Sequence, residues 1–197
     1  ITTAEGGIAL TNREDLAEKI SLLRSHGITR DPRAMVNPMK GSWYYEQIML
    51  GFNYRMSDMQ AALGLSQLSR LDEYVACRHE LALRYDSLFT SFPLVRPWQH
   101  PDTYSSRHLY VIRLNQSNHA KTRDEVFANL QEAGIGVNLH YIPVYRHPYY
   151  AKLGVSKDLY PEAENYYNEA ITLPLFPTLS AYEQDYIAGS LKRVLNL

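Results

Sequence analysis

Two stretches of this 197-residue sequence carry side chains whose types and spacing suit ligand chemistry. In the first, "LGFNYRMSDMQAALGLSQL" (residues 50–68), Asn53, Tyr54 and Arg55 stand directly ahead of a Ser-Asp helix start. An asparagine offers a paired donor and acceptor, and an arginine offers a fixed fork matched to phosphate or carboxylate. A helix opening at Ser57 adds free N–H groups and positive potential beside them. Together these parts can build an anion site, with phosphate the best match. A plainer arrangement fits the same residues: Asn53 makes a turn and Arg55 pairs with a nearby acid. The residues alone leave both open.

The second stretch is "NLHYIPVYRHPYY" (138–150), which gathers His140, Tyr141, Tyr145, Arg146, His147, Tyr149 and Tyr150 within 11 residues. Polar-tipped rings at a strand end can stack on a polar ligand and hydrogen-bond it. Any one of them can also simply cover a sheet edge. A metal reading of His140 and His147 is weak, because their spacing is not that of a ligand pair and no Cys, Asp or Glu cluster accompanies them. There is no G-x-S-x-G elbow for a serine hydrolase. The two glycines of "AEGGIA" lack a Walker or dinucleotide pattern around them.

Composition narrows the class. With 45% hydrophobic residues, 21% charged residues and a net charge of −1, the chain reads as globular. It lacks the basic excess of a nucleic-acid binder. No apolar run approaches the roughly 20 residues of a membrane span. A single cysteine, Cys77, rules out an internal disulfide and suits a reducing, cytoplasmic setting. The sixteen tyrosines cluster at 43–54, 141–150 and 160–167.

The elements that must position these residues follow from periodicity. Gly7–Thr11 reads as a short buried strand, and Leu16, Ile20 and Leu23 recur at helical spacing before a stop at Gly27. Residues 28–56 form a long aromatic connection, of a length that is usually functional or an interface element. Ser57 and Gln60 make a capping box, with Asp58 at the positive end of the helix. Helical character then runs to about Phe92, with a break near Asp72. Beyond it, 108–114, 136–142 and 170–174 read as strands. Lys121–Ala133 reads as a helix ended by Gly134, and Ser180 with Glu183 caps a last helix reaching Leu195. The fold class is therefore α/β, closing in a small two-layer α+β unit.

Taken together, "ITTAEGGIALTNREDLAEKISLLRSHGI", "LGFNYRMSDMQAALGLSQL" and "HYIPVYRHPYY" resemble the DegT/DnrJ/EryC1/StrS sugar aminotransferases, which are fold-type I pyridoxal-phosphate enzymes. The resemblance covers nearly the whole chain, with the three motifs in the family's order. It implies that residues 1–70 are the C-terminal end of the large cofactor-binding domain, and 71–197 the long connecting helix and small domain. It also implies a C-terminal half: the family's Schiff-base lysine falls two places before Ile1, so no catalytic residue is assigned within the chain.

Other roles follow from the resemblance by position. Asn53 would hold the phosphate of pyridoxal 5'-phosphate bound by the partner in a homodimer with shared active sites, and Arg55, in the same loop, would contact cofactor or substrate from that side. Glu5, Tyr54, His140, Tyr141, Tyr145 and His147 would approach the substrate, with Gly6 and Gly7 shaping the pocket wall. The activity implied is transfer of an amino group from glutamate to a UDP-linked 4-keto-6-deoxy sugar, as in a pseudaminic acid type pathway. A member acting on another nucleotide-linked keto sugar, or a catalytically silent nucleotide-sugar or partner-binding module, is the alternative. No metal, nucleic acid or membrane role is implied.

Overall fold

The computed structural model describes residues 1–115 and 121–197. These divide into two compact units, 1–71 and 72–197.

The first unit begins in unpaired, exposed chain. Gly7–Thr11 is not a strand: Ile8 is 85% exposed, and the segment has no ladder partner among the described residues. Its apolar residues permit a strand, but only a neighbouring backbone makes one. Helix α1 (Glu14–Arg24) follows as the spacing predicts, with Glu14 and Asp15 in its first turn and Arg24 in its last. The chain leaves it through Gly27, whose φ of +68° is left-handed.

The expected unstructured connection contains a small hairpin. Strands β1 (Ile28–Thr29) and β2 (Glu46–Gln47) pair antiparallel. Helix α2 (Asp58–Leu68) then starts at Ser57 with the capping box read from the sequence. It ends at Ser69–Arg70, two residues ahead of the expected break. There the Ser69 hydroxyl and the Arg70 guanidinium both turn back onto the Ser66 carbonyl, at 2.9 and 3.3 Å.

The second unit holds the hydrophobic core. Helix α3 (Leu71–Leu88) stops short of Phe92, ahead of Pro93, whose ring disfavours helical backbone before it. Strands β3 (Leu94–Val95), β4 (Tyr110–Leu114) and β5 (Ala170–Leu173) form an antiparallel sheet in that order. In β4, Tyr110, Ile112 and Leu114 are buried while the residues between them are not, so one face meets the core. All four residues of β5 are buried.

Leu81, Ala82 and Tyr85 of α3 join this core, as do Val126 and Leu130 of α4 (Arg123–Glu132). Ile187 and Leu191 come from the last helix, Ala181–Val194. Buried polar tips find partners: the Tyr85 hydroxyl donates to the Pro174 carbonyl at 3.0 Å and that of Tyr110 to Asp86 at 2.7 Å. Burial pushes both phenols well above the usual tyrosine range.

Residues 136–142 do not form a strand. Only Asn138 bridges to β5, opposite Thr172. The Asn138 side-chain oxygen accepts the next amide, Leu139, at 2.7 Å, a local bond that competes with a ladder. Between this bridge and β5 lie the short helix α5 (Pro148–Ala151) and α6 (Pro161–Glu169). The final helix, α7, carries the capping box expected at Ser180 and Glu183. No helix among the described residues is long and apolar enough to cross a membrane.

Candidate functional site

In the first unit, two glycines decide where Asn53 and Arg55 stand. The chain at 51–54 lies antiparallel to the exit of α1, bridging Ser25 to Asn53. Phe52 N donates to Leu23 O (2.7 Å), Tyr54 N to Arg24 O (2.9 Å) and His26 N to Phe52 O (2.8 Å). This approach leaves no room for side chains. A Cβ on Gly51 would meet the Gly27 nitrogen at 2.3 Å, and one on Gly27 would meet the Met49 carbonyl oxygen at 1.9 Å. Gln47 Nε2 also donates to the His26 carbonyl at 2.8 Å.

The result is a loop clamped at its base with its tip in solvent. Asn53 and Arg55 are exposed, and Tyr54 is 73% exposed with its ring stacked on Phe52 at 4.9 Å. Asn53 is extended rather than in a turn, and among the described residues Arg55 has no acidic partner. The plainer arrangement is therefore not the one adopted. Both side chains are available beside the N-terminus of α2, where Ser57 and Gln60 cap one another at 3.0 and 3.4 Å. An amide, a guanidinium and a helix N-terminus are a donor set that fits a phosphate.

The segment carrying Glu5 is held against the same helix. Gln60 Nε2 donates to the Glu5 carbonyl at 2.8 Å, a role for Gln60 beyond its cap. A Cβ on Gly6 would meet Met56 Cε at 2.8 Å, whereas one on Gly7 would meet nothing. The segment thus passes close to Met56 at Gly6 and not at Gly7. Glu5 and Gly6 are thus held against Gln60 and Met56, at the start of α2 that follows the Asn53–Arg55 loop.

The aromatic stretch of the second unit splits into two groups. His140 Nδ1 lies 2.8 Å from Thr172 Oγ1, so β5 orients the imidazole, and Tyr141 packs edge-on at 4.5 Å while 71% exposed. Thr172 was not singled out in the sequence; a polar residue among the apolar ones of "AITLP" is its only signal there.

Tyr145 is engaged internally. Its hydroxyl donates to Glu164 Oε1 at 2.9 Å and its ring stacks on Tyr160 at 5.1 Å. Arg146 grips the same carboxylate through Nε, at 2.9 Å, and Nη2, with its guanidinium 4.6 Å from the Tyr167 ring centroid. The Arg146 fork holds the Glu164 carboxyl down at about 2. Desolvation, followed by the neighbouring carboxylate, pushes the Tyr145 phenol up. His147 precedes α5 and is exposed. The structure therefore brings His140 and Tyr141 together, and places Tyr145 and Arg146 in a separate buttress.

These features sit in a recognisable framework. The mixed α/β fold matches Helicobacter pylori PseC, described as an aminotransferase involved in the biosynthesis of pseudoaminic acid. That match has a TM-score of 0.86 at 33% identity, over 100% of this chain and 50% of the other. Spr1654 of Streptococcus pneumoniae, a sugar aminotransferase in its PMP-form, matches with a TM-score of 0.85 at 32% identity, over 98% and 50%.

Residues 1–192 match the DegT/DnrJ/EryC1/StrS aminotransferase family, and the chain belongs to it. It is 38% identical to the spore coat polysaccharide biosynthesis protein SpsC of Bacillus subtilis, over 99% of this chain and 51% of that protein. It is 36% identical to the UDP-4-amino-4,6-dideoxy-N-acetyl-beta-L-altrosamine transaminase of Campylobacter jejuni serotype O:2, over 99% and 49%. The chain spans about half the length of the curated relatives it matches.

Proposed function

We propose that this chain serves a pyridoxal-phosphate-dependent aminotransferase that moves an amino group from glutamate to a UDP-linked 4-keto-6-deoxy sugar, in the cytoplasm and as a homodimer with shared sites. The observation that carries the reading is the glycine-clamped loop. It presents the Asn53 and Arg55 side chains, without a partner among the described residues, ahead of the α2 N-terminus in a chain that matches the family over residues 1–192.

In this reading the Asn53 amide and the Arg55 guanidinium hold the cofactor phosphate of the partner subunit. When bound, pyridoxal phosphate supplies the electron sink that lets an amino group leave one carbon and join another. The residues of this chain position and bind. The Glu5 backbone, held by Gln60, sets one wall, and Tyr54 approaches the substrate. His140, oriented through Nδ1 by Thr172, turns Nε2 toward the sugar, with Tyr141 beside it. With its hydroxyl committed to Glu164 and one ring face stacked on Tyr160, Tyr145 would meet the substrate through its other ring face, and His147 stands at the rim. Residues 1–70 would belong to the cofactor domain and 71–197 to the small domain.

The test is 2-oxoglutarate release from glutamate by a polypeptide that includes the family's Schiff-base lysine, supplied with cofactor and the keto sugar. Asn53→Ala should lower cofactor retention, read by absorbance after gel filtration. Unchanged cofactor occupancy and activity would remove the phosphate role from Asn53. A second reading, transfer to another nucleotide-linked keto sugar of surface polysaccharide synthesis, is favoured by the 38% identity to SpsC. A panel of UDP- and dTDP-linked keto sugars separates the two.

A further inference from the structure

The loop between β1 and β2 carries features that neither the phosphate loop nor the His140 pair uses. The carboxylate at its base, Glu46 of β2, is consumed. Glu46 accepts from Val36 N (2.6 Å), Asn37 N (2.9 Å), Asn37 Nδ2 (2.8 Å) and the Tyr44 hydroxyl (2.9 Å). Those donors, the Val36 amide foremost, hold its carboxyl at about 2. The loop is thereby folded around an anion of its own, and Tyr44 is fixed in place.

Trp43 is laid on this frame. A Cβ on Gly41 would meet the indole Nε1 at 2.8 Å and Cδ1 at 3.3 Å, so the ring rests against glycine backbone. Its neighbour Tyr44 abuts it edge-on at 5.9 Å, yet Trp43 remains 67% exposed. Lys40 Nζ stands 5.9 Å from the Tyr44 ring centroid. Across the hairpin, Arg30 Cζ stands 6.0 Å from that of Tyr45. Neither cation has a carboxylate partner among the described residues, whereas Arg33 is neutralised by Asp31 at 2.7 Å. The loop therefore offers an exposed indole held on glycine backbone and, over the rings of the two tyrosines that follow it, two cations without a carboxylate partner among the described residues. A ligand that answers both features has a π-face and a negative charge.

We propose that Trp43 is a stacking platform for the base of a nucleoside diphosphate, with Lys40 and Arg30 taking its phosphates. The inference deepens the nucleotide-sugar reading above and rests on it. Base stacking on an aromatic side chain contributes regardless of base identity, and the cations add a salt-dependent component.

The chain has only two tryptophans, so Trp98→Phe isolates the emission of Trp43. In that background, UDP should quench Trp43 saturably, while pyrophosphate should compete with UDP without quenching. By calorimetry, Trp43→Ala should weaken UDP binding about tenfold, Trp43→Phe should restore most of it, and Lys40→Gln should flatten the dependence of affinity on salt. Far-UV circular dichroism establishes that each variant is folded.

Calorimetric UDP binding that leaves Trp43 emission unchanged and is indifferent to Trp43→Ala overturns the platform, with the nucleotide-sugar reading intact. Absence of UDP binding at millimolar ligand overturns the platform too, and aminotransfer is then judged separately by 2-oxoglutarate release. An emission change that follows protein concentration rather than UDP assigns Trp43 to a protein interface and likewise overturns it.

Discussion

Gly51 and Gly27 show how much of the candidate site depends on residues with no side chain. Both lie where backbone meets backbone, with clearances of 2.3 and 1.9 Å for an added Cβ. Neither neighbour is a flexible tip that can swing away. Gly51→Ala should therefore destabilise the first unit by about 1–3 kcal/mol, the usual range for overpacking. Asn53→Ala, at an exposed side chain with no hydrogen bond among the described residues, should stay within about 0.5 kcal/mol. Urea denaturation of the two variants, with limited proteolysis at 47–57, measures the contrast. Equal stabilities would mean that the loop is not clamped as described. The closeness of Gly51 to Gly27, 24 positions earlier, was not legible in the sequence, because that contact depends on the fold.

At the scale of elements, legibility followed whether a signal was local. Capping boxes at Ser57 and Ser180 need four consecutive residues, and both formed. The same pattern at Thr122 and Glu125 begins α4. Strands β4 and β5 were readable, whereas 7–11 and 136–142 were apolar enough for strands but lacked a full ladder. Helix α6 was missed although Pro161 stands at its first turn with Glu162 and Glu164, a recognised helix start.

Helix α6 is tied to the turn at 144–146 by Glu164, which carries a pH prediction. Its folded carboxyl lies at about 2, below the roughly 4.3 of an unfolded glutamate. A depressed acid stabilises the fold fully above the unfolded value and loses that contribution as pH falls toward the folded one. Wild type should thus exceed Glu164→Gln in stability at pH 6, with the gap narrowing from about pH 4.3 down to about 2. Urea midpoints of both proteins across that range test the sign. A gap that widens on acidification contradicts the ion pair.

The two units of the molecule differ in what they bury. Residues 72–197 enclose the core of Tyr85, Phe89, Tyr110, Ile112, Ile171 and Leu191, each essentially inaccessible. In 1–71, neither α1 nor α2 has a buried residue, and Ile8, Leu10, Met59 and Leu65 stand in solvent. Where exposed apolar residues of this kind adjoin, they form an interaction face. Hydrogen exchange should read this division directly, since protection follows buried contacts and shielded hydrogen bonds. At low protein concentration, amides of β4, β5 and α7 should exchange slowest, and those of α1 and α2 fastest. If the exposed face pairs with a second copy, as a shared-site homodimer requires, protection of α1 and α2 should rise with protein concentration while that of β4 stays constant. Sedimentation velocity over the same range should show the corresponding shift in mass. Protection in α1 and α2 that equals β4 at every dilution would mean the face is covered within the single chain. Low protection that never changes, with a constant monomer mass, would remove self-pairing as the role of this surface.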